Sequence, residues 1–144
     1  MMTMTMNKAG HGFRVGFMAC AAVVLTACAA AQKSPEEAAE ARAADRLVAV
    51  LAEDYATDYE FLSPGYRSSV TLAQHQRTMA LRKVRWLDAT VAGSECSGDV
   101  CKVRISIEYE VYGAVPGMSR FKSMGAAEED WIFTDEDWYL VPSD

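Results

Sequence analysis

Histidine is almost missing from this 144-residue chain, which has only His11 and His75. So few imidazoles leave little material for a histidine-built metal centre. Also absent are Gly-x-Gly-x-x-Gly, the phosphate loop, Gly-x-Ser-x-Gly and His-Glu-x-x-His, which disfavours nucleotide binding and standard hydrolase chemistry. Basic side chains are scarce, with 14 Lys and Arg against 20 Asp and Glu. Residues 1–27 hold Lys8 and Arg14 and no carboxylate, so the remainder carries 12 basic and 20 acidic side chains, net −8. That balance argues against a nucleic-acid partner, which needs clustered cations, and against a basic membrane-surface patch. What is present is enough apolar material for a core: 51% of residues are hydrophobic and 10% aromatic, in a length that fits one domain.

The first 27 residues read as a secretory signal. Lys8 and Arg14 give a positive start, Val15 to Leu25 is uncharged, and the run ends in Leu25-Thr26-Ala27-Cys28. A spanning helix needs about 20 apolar residues, more than this stretch supplies. Counted through Ala31 the uncharged run is 17 residues, which keeps an uncleaved anchor as the alternative. Leu25-Thr26-Ala27-Cys28 resembles the lipobox of bacterial lipoproteins, and the resemblance implies cleavage before Cys28 and a diacylglyceryl thioether on its sulfur. Two or more acyl chains there make a firm membrane anchor, at about 0.8 kcal/mol per buried methylene. Ala29 stands where inner-membrane lipoproteins of many Gram-negative bacteria carry Asp, so the resemblance implies the outer membrane, with the domain facing the periplasm.

With Cys20 removed and Cys28 lipidated, Cys96 and Cys101 remain as a C-x4-C pair. In an exported protein this reads as a disulfide across a short hairpin, because Ser97-Gly98-Asp99-Val100 is turn-forming. A redox or metal pair would want C-x2-C spacing or further ligands.

Residues 28–34 are the lipidated cysteine and tether, and 35–144 a single domain. Ser34-Pro35-Glu36-Glu37 is a capping box with proline at the first helical position. Ala44, Leu47, Val48, Leu51, Tyr55, Tyr59 and Leu62 recur at helical spacing, predicting one helix from about Pro35 to Leu62, with Arg42, Arg46, Glu53, Thr57 and Glu60 on its wet face. Ser63-Pro64-Gly65 is read as its stop. Thr71-Leu72-Ala73-Gln74 opens a short second helix to about Lys83, on which His75 is read as solvated. Val84 to Cys96 predicts a strand. Lys102 to Tyr112 alternates strictly, with Val103, Ile105, Ile107, Tyr109 and Val111 on the inward side. Val115-Pro116-Gly117-Met118 reads as a type II turn, and Trp131–Thr134 with Trp138–Val141 as a closing hairpin.

Helices followed by long antiparallel strands predict an α+β fold, with N-terminal helices packed on a curved antiparallel sheet. The amphipathic start running into Phe61-Leu62-Ser63-Pro64-Gly65-Tyr66-Arg67, the central strands and the closing Trp138-Tyr139-Leu140-Val141 resemble the nuclear-transport-factor-like, or ketosteroid-isomerase-like, superfamily. The resemblance implies a cone with an open mouth and, in many members, a homodimer.

Ketosteroid-isomerase-like members use a carboxylate base with an oxyanion hole, a case that sets the comparison here. Tyr55, Tyr59, Asp88 and Tyr109 are the pocket or catalytic candidates in this chain, with no acid pair aligned to the enzymes' positions. Leu87, Ala89 and Val91 compete with Asp88 for the inward face, which would leave Asp88 in water. Arg67 is a candidate to clamp an anion or to orient the loop after the first helix. The acidic runs Glu128-Glu129-Asp130 and Asp135-Glu136-Asp137 lack the spacing of a calcium loop and read as solvated turns. No cofactor or metal is implied. The expectation is therefore a lipid-anchored, non-enzymatic domain that binds a small apolar ligand or an envelope protein. The alternative is a small-molecule isomerase or dehydratase.

Overall fold

The computed structural model describes residues 33–115 and 117–143. The segment expected to be a signal, with Cys28, the residue expected to carry lipid, lies outside the described residues. Residues 32–144 form one compact unit with its own core.

Helix α1 (Pro35–Leu51) begins as its sequence dictates. The Ser34 hydroxyl accepts from the Glu37 backbone N–H at 3.2 Å, and the Ser34 N–H donates to the Glu37 carboxylate at 3.0 Å. The helix does not continue to Leu62. It stops at Ala52, Glu53 takes a φ of 57°, and Asp54 caps a new helix, α2 (Tyr55–Glu60), accepting from the Thr57 N–H at 3.1 Å. Tyr59 of α2 packs against the same core as Ala39, Ala43 and Leu47 of α1, so the spacing runs across the break and conceals it.

The buried face of α1 also differs from the expected stripe. Ala39, Ala43, Arg46, Leu47 and Val50 are buried, whereas Val48 is 69% exposed. Small alanines let the helix approach the sheet closely, so the face rich in Ala wins over the face carrying Val48. Ser63 starts rather than stops a helix: it caps α3 (Pro64–Ser69), with Pro64 at the tolerated first position. Helix α4 (Leu72–Ala80) opens with the Thr71 capping box as read.

The sheet is an antiparallel meander of β1 (Val84–Ser97), β2 (Val100–Val115), β3 (Met118–Thr134) and β4 (Asp137–Val141), in that order. Along β2 the expected alternation holds as far as Ile107, with Val103, Ile105 and Ile107 buried and Lys102, Arg104 and Ser106 exposed; it fails at Glu110, which the strict alternation puts on the wet face but which is buried, accepting from the Tyr112 hydroxyl. Strand β3 is far longer than Trp131–Thr134. Gly125, Ala126, Ala127 and the acidic run that follows have weak strand preference, and pairing with β2 imposes the extended form on them. Glu128-Glu129-Asp130 is therefore strand, not turn. The Asp135-Glu136 turn does form, with φ of 50° and 67° at its two residues, and Gly117 has the φ of 85° that a type II turn demands at its third position.

Two bulges in β1, between Trp86 and Asp88 and between Val91 and Gly93, reset which side chains face inward. Trp86, Ala89 and Val91 all pack on the core as a result. The disulfide Cys96–Cys101 joins the ends of β1 and β2 across Gly98-Asp99, where Gly98 has a φ of 60°. The β4 edge is covered, because the Ser63 N–H donates to the Leu140 carbonyl and the Leu140 N–H to the Phe61 carbonyl, at 2.7 and 2.8 Å. Trp131, Trp138, Phe61, Leu62, Leu47 and Leu140 fill the space between helices and sheet.

Candidate functional site

Four charged or titratable side chains meet inside the fold, each from a different element. Arg46 comes from α1, Asp58 from α2, His75 from α4 and Glu129 from β3. Their side chains are 8%, 0%, 6% and 10% exposed. Arg46 Nε lies 2.7 Å from Asp58 Oδ1, at ion-pair distance but without an aligned N–H, and Arg46 Nη1 donates to Glu129 Oε1. His75 Nε2 lies 2.9 Å from Asp58 Oδ2, and Tyr66 Oη lies 3.3 Å from His75 Nδ1. An ionised carboxylate only accepts, so His75 Nε2 carries a proton, and in the neutral imidazole Nδ1 then accepts from the Tyr66 hydroxyl. Trp131 Nε1 completes the chain by donating to Glu129 Oε2 at 3.1 Å.

This array overturns two expectations. Arg46 is buried rather than on a wet face, and His75 is 5% exposed rather than solvated. An Asp–His pair can move protons, yet here both His75 nitrogens are engaged, and neither Asp58 nor His75 is among the residues lining the three clefts described below. The array ties three helices to the sheet.

Open space lies beside it, at the mouth between helices and sheet. A first cleft of about 310 Å³ is walled by Tyr55, Trp86 and Tyr112, with Arg82, Arg85 and Glu53 at its rim. A second, of about 210 Å³, reaches Arg46, Glu129 and Leu140. The two share Arg82 and Trp86. Arg85 Nε is paired with Glu53 at 2.7 Å, and Tyr112 together with Glu53 stabilises its charged form. Arg82 has no carboxylate at ion-pair distance among the described residues. Burial raises the Tyr55 hydroxyl above its ordinary value and Glu53 adds to the rise, while Arg82 opposes it. Tyr66 is raised by burial in the same way, again against Arg82. A third cleft, about 290 Å³, lies at the opposite end of α1 against Pro35, Phe133 and Trp138.

The sequence candidates do not converge on one place. Tyr55 lines the first cleft. Tyr59 does not: its hydroxyl donates to the Val70 carbonyl at 2.6 Å and holds the end of α3. Asp88 is exposed, and its carboxylate accepts from the Ala89 N–H at 2.9 Å. Tyr109 is half-buried on the concave face beside Gly125, where an added Cβ would come within 3.3 Å of its ring. Arg67 sits in α3 with its guanidinium 5.4 Å from the Tyr139 ring centre. No group of three or more metal-ligating side chains occurs among the described residues.

No protein-family model matches the chain, and no curated protein does. Solved structures do. A SEC-C motif containing protein from Rhodopseudomonas palustris superposes with a TM-score of 0.54 at 17% identity, covering 72% of this chain and 74% of that one. A suspected dehydratase of the NTF2-like family from Streptomyces avermitilis gives 0.50 at 15% identity, over 72% and 90%. A SEC-C motif containing protein from Psychrobacter arcticus gives 0.50 at 12% identity, over 78% and 63%. At these identities the likeness speaks for architecture, and helices laid on a four-stranded antiparallel sheet make this chain an α+β protein with the nuclear-transport-factor-like fold.

Proposed function

We propose that the protein is an outer-membrane lipoprotein, anchored through Cys28, whose periplasmic domain binds a small molecule at the mouth between helices and sheet. The observation that carries the binding half is the pair of clefts meeting at Arg82 and Trp86, one with three aromatic walls. The first, at about 310 Å³, sits at the low end of small-molecule sites and the second, at about 210 Å³, falls below it; the first combines three aromatic side chains with the charged groups of Arg82, Arg85 and Glu53. The anchoring half rests on Leu25-Thr26-Ala27-Cys28 behind its apolar run. The architecture suits both halves. The tether enters at Lys33, ahead of α1, and the first cleft lies at the far end of that helix, so its 17 residues hold the mouth about 25 Å from the anchored end.

Binding is favoured over isomerase or dehydratase chemistry by where the acid–base groups are. Asp88 is in water, and Asp58 and His75 are enclosed and bonded to their neighbours. A general base must reach its proton directly or through one water; none of the three does so at a cleft, and the carboxylates that do border the clefts are paired, Glu53 with Arg85, Glu129 with Arg46, and Glu128 and Asp130 with Lys102.

Fractionation of cells tests the anchor. The mature chain is expected in the membrane fraction with diacylglyceryl mass on Cys28, and Cys28→Ala is expected to release it as a soluble or unprocessed form; an intact chain with a free Cys28 thiol contradicts the reading. For the binding half, small molecules released by denaturing the purified domain are compared with those from Trp86→Ala. A compound present with the parent and missing with the variant is expected, whereas identical extracts count against a site at the mouth.

A further inference from the structure

We propose that the first cleft selects a small organic anion with a flat apolar body, with Arg82 as the group that recognises the charge. This inference rests on the reading of the domain as a binding module and names the class of ligand. The rim of the cleft holds two guanidinium groups and one carboxylate. Arg85 is already neutralised by Glu53 at 2.7 Å, which leaves the charge of Arg82 uncompensated among the described residues. The nearby Glu110 is also committed: it accepts from the Tyr112 hydroxyl at 2.8 Å, and its other oxygen faces Arg120 at 3.8 Å. A cleft left positive in a body of net charge −8 stands out electrostatically, and a low-dielectric concave wall strengthens its field.

The position of Arg82 fits this role. Its side chain is exposed at the mouth, and its charge opposes the rise that burial gives the Tyr55 and Tyr66 hydroxyls. It borders both clefts, and so does Trp86. Tyr112 spends its hydroxyl on Glu110 and offers its ring to the cleft, while Tyr55 and Trp86 supply further aromatic wall. A planar guanidinium forks onto a carboxylate or sulfonate with two parallel hydrogen bonds, and aromatic walls take a flat ring system.

The test uses two probes of one shape, 2-naphthoate and its neutral isostere 2-naphthamide, titrated into the ¹⁵N-labelled domain from Gln32 to Asp144. The indole N–H resonance of Trp86 reports occupancy. Naphthoate is expected to bind at least about tenfold tighter than naphthamide, a ratio in line with one charge-assisted hydrogen-bonded contact. Arg82→Gln is expected to bring naphthoate down to the naphthamide affinity, and Arg77→Gln, on an exposed part of α4, to leave the ratio unchanged. Equal affinities in the parent, or a ratio that survives Arg82→Gln, overturn the anion preference while the binding module stands. If neither probe shifts Trp86, both the preference and the binding reading fall.

Discussion

Arg46 is the side chain on which the interior most depends. It neutralises Asp58 and Glu129 in a region nearly closed to water, and a buried pair that loses one partner strands the other charge. Arg46→Met is therefore expected to destabilise the domain by about 3–5 kcal/mol, measured by urea unfolding. Asp88→Asn should change stability by less than about 0.5 kcal/mol, since that carboxylate lies at an exposed position. A loss of several kcal/mol for Asp88→Asn, or none for Arg46→Met, would contradict the assignment of which carboxylates matter. The sequence conceals this array because its members stand far apart along the chain and none forms a local motif. Arg46 alone left a trace: it follows Ala39 and Ala43 on the small-residue face of α1, where a charge is out of place unless a partner waits inside. Asp58 and His75 are separated by 17 residues and two helix breaks, and only the packing of α2 against α4 joins them.

Capping and turn chemistry decide the elements, and here the sequence is most legible. Both capping boxes, the Gly98-Asp99 hairpin with its disulfide, and the turn at Asp135-Glu136 follow from short-range bonds that need no partner far away. Thr71→Ala is expected to cost about 1 kcal/mol, and reduction of Cys96–Cys101 about 2 kcal/mol for so short a loop, both by thermal or urea unfolding. The cap at Asp54 adds a pH dependence. Hydrogen bonds from the Thr57 hydroxyl and N–H hold the Asp54 carboxyl below its ordinary 3.8. A depressed folded value contributes stability above pH 3.8, and that contribution is lost as pH falls through the lower folded value. Carboxyl NMR titration should place Asp54 below 3.8 in the parent and move it upward in Thr57→Ala; an unmoved titration would contradict the cap. What the sequence does not disclose is β3 and the break before α2. In β3 the extended form is dictated by β2, and at Glu53 the left-handed residue interrupts a periodicity that resumes in phase.

At the scale of the molecule, the α+β arrangement was readable because strictly alternating strands after amphipathic helices leave few alternatives for burying both apolar faces. The mouth was less so. Its walls come from the end of α1, from α2, from the end of α4 and from both outer ends of β1 and β2, and no spacing rule links Tyr55, Arg82, Trp86 and Tyr112. Of the earlier candidates Tyr55 alone falls at this cleft, because the bulge after Trp86 turns that ring inward and leaves Asp88 outside. The central feature is a cleft with aromatic walls and Arg82, which has no carboxylate at ion-pair distance among the described residues. Native mass spectrometry of the domain from Gln32 to Asp144, recovered from the periplasm with its disulfide formed, tests it most directly. One small-molecule adduct per chain is expected, diminished in Arg82→Gln and Trp86→Ala. A bare chain, or an adduct indifferent to both substitutions, would contradict it.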